Sequence, residues 1–264
     1  ALLLREIVAN KKKKNTAKLF GKKPSGEIIL THDIDIIKKT LNNILKQSIF
    51  NFFNFFKSLI YLRFNNSLNF LIKIYYLINF KDKKNKINYT FEKNKKLGLV
   101  PIYFVFSKIS SKNIIYNFLN PSYSIKNNIT KKKLEEISTR YQIGLHQSFQ
   151  ASENSKLMKE EKNLLDNIFK INSKCCRQHW FNFSFKDTWK FQYKSGFKYD
   201  FTLGFNDCMG FRNSSCLSFK PLDYKLKRIG LYSIPMILMD SHLYDYELND
   251  QNADDGADPQ IHLD

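Results

Sequence analysis

The stretch Glu27-Ile28-Ile29-Leu30-Thr31-His32-Asp33-Ile34-Asp35 joins a short apolar run to two carboxylates spaced two residues apart. The apolar run predicts a β-strand over residues 27–32. Because alternate residues of a strand point to the same side, Asp33 and Asp35 should share one site at the carboxyl end of this strand. Active sites of α/β folds lie at that end. Two carboxylates there indicate metal-assisted hydrolysis, in which one can hold a metal ion and the other can take a proton.

Downstream of this stretch, strand-like and helix-like segments alternate, which predicts an α/β fold with a parallel sheet or barrel. Gly98 and Gly196 are typical helix stop signals, and Ser184 with Asp187 resembles an N-terminal capping box. Further strands are predicted at Leu99–Phe106, Gln142–Leu145, Lys198–Phe201 and Ile234–Met239. Helices are predicted at 89–96, 131–139, 154–170 and 184–195, and a loop at 112–130.

The chain divides by composition into a basic start, one large domain and an acidic tail. Residues 1–26 predict the end of a helix and a basic, polar linker, with Pro24 and Gly26 marking the turn into the first strand. Residues 27–246 predict a single domain, and residues 247–264 predict a disordered acidic tail. Since the chain starts at Ala1 and not at Met, we expect it to be a fragment or a domain of a longer protein.

Residues 37–80 predict two amphipathic helices inserted into this domain. The segment is rich in Phe, Tyr, Leu and Ile, but Asn and Lys interrupt it every few residues. It therefore lacks the run of about 18 apolar residues that a membrane span needs. We favour a flap packed on the domain over helices that rest on a membrane surface.

The composition bears on which partners the protein can bind and on the cellular compartment in which it is expected. The net charge of +19 comes almost entirely from Lys, whereas Arg, the residue preferred for bidentate phosphate and base contacts, is scarce. Nucleic-acid binding is therefore disfavoured. The four cysteines form no C-x-x-C pair and predict reduced thiols. No signal-peptide pattern is visible, so we expect a protein that is cytoplasmic or peripheral to the membrane.

Polar residues recur at the ends of the predicted strands, as Asp33 and Asp35 do at the first. His146 follows Ile143-Gly144-Leu145, Arg177-Gln178-His179-Trp180 follows another apolar segment, and Tyr199-Asp200 ends the next. A lone His after a strand is more often structural than a ligand. The repetition at successive strand ends is what predicts a shared site.

The order of these motifs resembles that of the polysaccharide deacetylase family, the NodB-homology or carbohydrate esterase family 4 enzymes. The likeness covers about residues 27–246 and is greatest to a bacterial subgroup whose first two motifs read T-H-D-V-D and I-G-L-H-P-S-Y. It rests on THDID (31–35), IGLHQSF (143–149), RQHW (177–180), GFKYDFTLGF (196–205) and GFR (210–212). The resemblance implies a distorted (β/α) barrel and removal of N-acetyl groups from a polysaccharide or surface glycan by a divalent metal, with Zn favoured. We expect the barrel to be incomplete at the carboxyl end of this chain.

The resemblance also implies roles for individual residues. Asp33 would be the general base, braced by Arg177, while Asp35 and His146 would bind the metal. The third ligand stays open between His179, His32 and water, because Gln150 occupies the position of the family's second motif histidine. Contacts with the substrate are implied for Asp200, Arg212 and Trp180. The late motif that supplies the family's general acid is not matched, since His242 follows a different element and His262 lies in the acidic tail.

The sequence is therefore compatible with three alternative functions. The first is a metal-dependent hydrolase acting on an N-acetylated carbohydrate. The second is a catalytically weak, carbohydrate-binding relic of the same fold. The third is a basic protein associated with nucleic acid or with a membrane surface through residues 37–80.

Overall fold

The computed structural model describes residues 2–23, 26–38, 40–62, 64–79, 86–107, 109, 111–240 and 242. The predicted turn at Pro24 and the predicted acidic tail, including His262, lie outside these ranges. No described helix combines the length and the apolar content that crossing a bilayer requires.

Six parallel strands form one sheet in sequence order, which confirms the predicted α/β class. The strands are Thr31–Ile34 (β1), Ile102–Phe106 (β2), Gln142–Gln147 (β3), Cys175–Gln178 (β4), Tyr199–Asp200 (β5) and Tyr232–Ser233 (β6). Each strand pairs in parallel with the next along the chain. Within the described residues β1 and β6 do not pair, so the sheet of the expected barrel is open.

Helices flank and connect these strands. They are Leu2–Lys11 (α1), Thr16–Phe20 (α2), Leu41–Ile60 (α3), Phe64–Asn79 (α4), Lys86–Lys96 (α5), Ile114–Leu119 (α6), Asn128–Ser138 (α7), Ser155–Phe169 (α8) and Thr188–Lys194 (α9). Short 3-10 helices cover Phe149–Glu153 and His179–Phe181. The two helices expected within 37–80 are therefore present as α3 and α4.

The core lies on both faces of β2, whose five residues are all buried. Continuous burial of this kind is typical of a parallel strand covered on both sides, as the apolar run predicted. Tyr103 and Val105 face the helix layer that contains Leu165 of α8. Phe104 faces the opposite side, where it packs with Phe201. That side of the sheet carries the polar residues of the strand ends.

Gly144 in β3 allows this packing because a side chain there would collide with Phe104. A Cβ at position 144 would lie 2.5 Å from Cε1 of the Phe104 ring. The Arg177 guanidinium lies over this ring, with its carbon Cζ 4.6 Å from the ring centroid. The glycine of the IGLH motif thus lets an aromatic ring form the floor beneath Arg177.

Two predicted strands are wrong in their position. The first begins at Thr31 and not at Glu27, because its register on β2 starts with Thr31 opposite Ile102, and Ile28 before it is exposed. The last covers Tyr232–Ser233 and not Ile234–Met239. After Ser233 the chain leaves the ladder, and the Met236 N–H bonds to the Leu203 carbonyl instead of to a strand.

Three predictions about helices also need correction. The segment 112–130 is not a loop, because α6 and the start of α7 lie in it, each capped by the side chain of Asn113 or Asn127. Helix α9 begins at Thr188, where Asp187 makes no side-chain cap. Within residues 1–26, α1 lies where the end of a helix was expected, and α2 lies in the segment expected to be a linker. The missed signal was Asn, which caps helices as well as Ser or Asp does.

Candidate metal centre

Three side chains from different strand ends converge on one point. Asp35 follows β1, His146 lies in β3, and His179 follows β4. Asp35 Oδ1 lies 3.3 Å from His146 Nε2 and 3.6 Å from His179 Nδ1. His146 Nε2 and His179 Nδ1 are 2.8 Å apart. Together these residues form a group that could hold a metal ion.

Backbone carbonyls orient both imidazole rings. His146 Nδ1 lies 3.1 Å from the Arg177 carbonyl, and His179 Nε2 lies 3.0 Å from the Leu119 carbonyl. A carbonyl oxygen only accepts, so both of these ring nitrogens must donate. His146 Nε2 and His179 Nδ1 are then the nitrogens that face one another with lone pairs. Two lone pairs at 2.8 Å repel, and a cation or a proton between them removes the repulsion.

The donor set fits a divalent metal ion. Two imidazole nitrogens and one carboxylate oxygen are the protein ligands of many catalytic zinc sites, in which a further position stays open. Tetrahedral ligands at about 2.0–2.1 Å from zinc lie roughly 3.3 Å from one another. The two distances from Asp35 are close to this value, and the backbone bonds of both rings are the outer contacts that fix histidine ligands.

The electrostatics of the group favour a cation. Partial burial acts to raise the pKa of Asp35, but the hydrogen bond to His146 and the charges of His146, His179 and Arg177 together lower that pKa to about 2. Burial and the charge of His146 lower the pKa of His179 to about 4. Burial also acts to lower the pKa of His146, yet the charges of Asp33 and Asp35 raise it. Asp35 is therefore ionised and His179 neutral near pH 7, the forms in which both ligate metals.

Arg177 fixes the second carboxylate beside this group. Its Nη1 donates to Asp33 Oδ1 at 2.8 Å, its Nη2 to Thr31 Oγ1 at 2.9 Å, and its Nε to the Phe201 carbonyl at 3.0 Å. A buried guanidinium is tolerated when its donors are paired in this way. Asp33 therefore has one oxygen held by Arg177, at a side chain that is 25% exposed.

The group is open to solvent on the side of Asp35. The Asp35 side chain is 48% exposed, whereas the side chains of His146 and His179 are 2% and 10% exposed. A ligand arriving from solvent would therefore meet Asp35 and Asp33 first. The two imidazoles form the buried wall of the site.

Of the open candidates for the third ligand, His179 joins the group and His32 does not. His32 Nε2 bonds to Asn94 Nδ2 at 2.9 Å, and its ring packs on Tyr103. Gln150 also points elsewhere, because its Oε1 accepts from Asn120 Nδ2 at 2.8 Å. The sequence placed His179 among the candidate ligands, and its ring is held by a backbone carbonyl 60 residues away, which accepts from its Nε2.

The residues expected to contact substrate are placed differently from one another. Trp180 is 43% exposed and its ring lies against His179, with centroids 5.6 Å apart. Arg212 lies over the ring of Phe185, 5.9 Å from its centroid.

Asp200, for which a contact with the substrate was expected, is fully buried. Its carboxylate accepts from Gln192 Nε2 at 2.9 Å and from Trp189 Nε1 at 3.0 Å, and the Thr202 hydroxyl also bonds to it. Burial raises the pKa of this group. Asp200 therefore ties α9 to the end of β5 from inside the core.

Two supporting residues have no signal in the sequence. The Tyr123 hydroxyl donates to the Ile34 carbonyl and accepts from the Phe106 N–H, both at 2.7 Å, which joins the ends of β1 and β2 beside the site. Glu161 is buried in α8 and accepts from the Ser148 N–H at 3.1 Å. Both depend on contacts between distant segments.

Comparison with known proteins adds a distant likeness in fold. No model of a protein family matches the chain, and no curated protein matches it in sequence. Among solved structures, the chain is similar to a protein from Mycobacterium smegmatis that carries the provisional name polysaccharide deacetylase. The two share 12% identity with a TM-score of 0.46, over 81% of this chain and 61% of the other. The matched region thus spans less than two thirds of that protein.

Proposed function

We propose that this chain is a metal-dependent hydrolase that removes N-acetyl groups from a polysaccharide or surface glycan. The observation that carries the proposal is the convergence of Asp35 Oδ1, His146 Nε2 and His179 Nδ1. The order of the sequence motifs supports the choice of substrate, because it resembles that of the polysaccharide deacetylases.

In this proposal, Asp35, His146 and His179 hold the ion, and zinc is the metal that best suits two imidazoles and one carboxylate. A bound divalent ion supplies Lewis-acid polarisation of the amide carbonyl. The backbone carbonyls of Arg177 and Leu119 keep both imidazoles in the tautomer that presents a lone pair to the ion. Both imidazoles are buried, so water does not reach the site from the side of the histidines.

Asp33 is the general base of the proposed reaction. Arg177 holds Oδ1, so the other carboxylate oxygen is left to take a proton from the attacking water. The paired guanidinium fixes the direction of the Asp33 carboxylate by a charge-assisted hydrogen bond. Arg177 is thus a positioning residue that acts through Asp33.

Trp180 and Arg212 are proposed to contact the sugar. The exposed indole beside His179 offers a flat apolar surface on which a pyranose ring can lie. Asp200 takes a different role, since its buried carboxylate can act on substrate only through the loop that it anchors.

Carbohydrate binding without turnover is the second candidate, and the described histidines outside the centre favour it. His32 is bonded to Asn94, and His242 is buried with the Met239 N–H donating to its Nδ1 at 3.2 Å. Neither is therefore assigned to protonate the leaving amine. A protein with a metal site but no such proton donor would bind a glycan and turn it over poorly.

Acetate release separates the two candidates. The protein would be stripped with a chelator, reloaded with zinc, and incubated with an N-acetylated glucosamine oligosaccharide. We expect acetate release from the reloaded protein and none from the stripped protein, with Asp207→Asn, an exposed carboxylate outside the centre, matching the parent. Oligosaccharide binding without acetate release by the zinc-loaded protein would favour the second candidate. Failure to retain zinc would overturn both.

A further inference from the structure

The helical hairpin formed by α3 and α4 turns its apolar side outward. In α3 an apolar residue recurs about every three or four positions, which places these residues on one face. All of them are exposed: Leu41, Leu45, Ile49, Phe52, Phe53, Phe56 and Ile60. The same holds in α4 for Phe64, Leu68, Leu71, Ile72, Tyr75 and Ile78. The hairpin therefore presents two exposed apolar stripes.

The hairpin has small polar residues at its fully buried positions, and half-buried apolar side chains such as Ile44, Phe55 and Ile74 lie beside them. The buried residues of α3 are Asn43 and Ser58, and Ser67 is buried in α4. The hydroxyls of Ser58 and Ser67 bond to one another across the two helices. A helix pair in water buries its apolar face and exposes its polar face. Large apolar residues on the outside of a helix pair, with a pair of hydroxyls bonded between the helices, are typical of helices that contact lipid.

The charge of the segment indicates which apolar environment covers it. No Asp or Glu occurs between residues 36 and 81, whereas Lys38, Lys46, Lys57 and Lys73 lie in or beside the hairpin. A second copy of this chain would bring like charges together on the same face. Anionic lipid headgroups would instead neutralise them.

We propose that the outward faces of α3 and α4 bind the surface of an anionic lipid bilayer. The helices lie in the interface with their apolar stripes among the acyl chains, as amphipathic helices with basic flanks do. The proposal places the helices in the interface and not across the bilayer, and no described helix is suited to span one. The proposal does not depend on the hydrolase activity, since it rests on a separate part of the molecule.

The hairpin also contacts the rim of the candidate metal centre. Lys46 Nζ donates to the carbonyls of Asn117 and Asn120, which flank Leu119. The Phe50 ring lies 5.5 Å from that of Trp180, measured between centroids. Binding to a bilayer would therefore hold the centre close to the lipid surface. Taken with the proposed function, this points to a glycan displayed at a membrane as the substrate.

Vesicle flotation of the full chain tests the proposal. The probes are vesicles of phosphatidylcholine alone and vesicles that contain about 30% phosphatidylglycerol. We expect flotation with the anionic vesicles only, and release as salt rises from about 0.05 to about 0.5 M. Phe53→Gln/Ile60→Gln should weaken binding by about tenfold to a hundredfold, because two side chains lose their place among the acyl chains. Lys38→Gln/Lys57→Gln should weaken binding to anionic vesicles alone.

A matched control distinguishes binding through α3 from nonspecific adsorption of exposed apolar residues. Ile114 and Ile129 are as exposed as Ile60 but lie on α6 and α7, so Ile114→Gln/Ile129→Gln should bind like the parent. Circular dichroism checks that every variant folds. Equal loss in both double variants would overturn the proposal. So would a parent that ignores the vesicles and instead forms a dimer that Phe53→Gln/Ile60→Gln dissociates. Flotation is read without acetate release, so its failure and that of the proposed function are distinguishable.

Discussion

Helices α8 and α3 have the same kind of sequence pattern and bury opposite faces. Helix α8 turns its apolar residues inward, where Met158, Leu165 and Phe169 are buried against the sheet. Helix α3 turns Phe53 and Ile60 to the outside and buries Asn43 and Ser58. A 3.6-residue period shows that a helix has an apolar face, but it does not say whether that face meets the core.

The sheet region and the α3–α4 hairpin also differ in their expected functions. The sheet region holds every residue of the candidate metal centre, whose rings and carboxylates are fixed by buried hydrogen bonds. The hairpin contributes contacts at the rim through Phe50 and Lys46. We therefore expect changes in the sheet region to affect metal, turnover and stability, and changes on the hairpin to affect membrane binding.

The largest expected effect is the loss of metal in Asp35→Ala. The substitution removes a ligand and its negative charge from a group in which two imidazoles remain, so zinc content should fall from one per chain to near zero. Elemental analysis of the purified proteins measures this. Phe53→Gln on the hairpin is the matched change and should keep the metal. Equal zinc content in Asp35→Ala and the parent would remove Asp35 from the centre.

Asp33→Asn should keep the metal and lose turnover. Asn is nearly isosteric and can still accept from Arg177, but it cannot take a proton from water. Removal of a general base costs about 10²–10⁴ in rate. Acetate release and zinc content would be measured on the same sample, beside Asp207→Asn. Near-parental activity in Asp33→Asn would show that another group is the base.

Unfolding in urea tests whether the apolar face of α8 contributes more to stability than the apolar face of α3. Leu165→Ala in α8 should lower the free energy of unfolding by about 2–5 kcal/mol, because Leu165 is fully buried and leaves a cavity. Ile60→Ala in α3 should change it by no more than about 0.5 kcal/mol, because Ile60 is 78% exposed. A large loss in Ile60→Ala would mean that the hairpin packs its apolar face against protein in solution.

Glu161 predicts a gradual effect of pH on stability. Burial raises the pKa of Glu161 from 4.5 to about 8. The folded protein then keeps a proton that the unfolded chain has lost, so the free energy of unfolding should fall as pH rises from about 4.5 to about 8. Glu161→Gln should remove this part of the fall. Parallel pH profiles of urea midpoints for the parent and Glu161→Gln would contradict the assignment.

Much of the sheet region followed from local sequence. Strand β2 occupies the last five residues of the predicted Leu99–Phe106 strand, α8 lies where the pattern placed it, and the parallel sheet followed from the alternation of strands and helices. The strand at Ile234–Met239 failed because apolar content alone does not show where a ladder ends. The loop predicted at 112–130 is wrong because Asn113 and Asn127 each cap a helix there.

The sequence by itself determined which polar residues lie at the carboxyl ends of the strands, because strand direction and the two-residue period are local properties of the backbone. Asp35, His146 and Arg177 could be marked as site candidates on that basis. Only the tertiary structure selected His179 over His32, placed Asp200 in the core, and turned the apolar face of α3 away from the domain. Each of these outcomes depends on partners distant in sequence, such as the Leu119 carbonyl for His179 and Ser67 for Ser58. Such contacts are set by how whole elements pack, which no local pattern records.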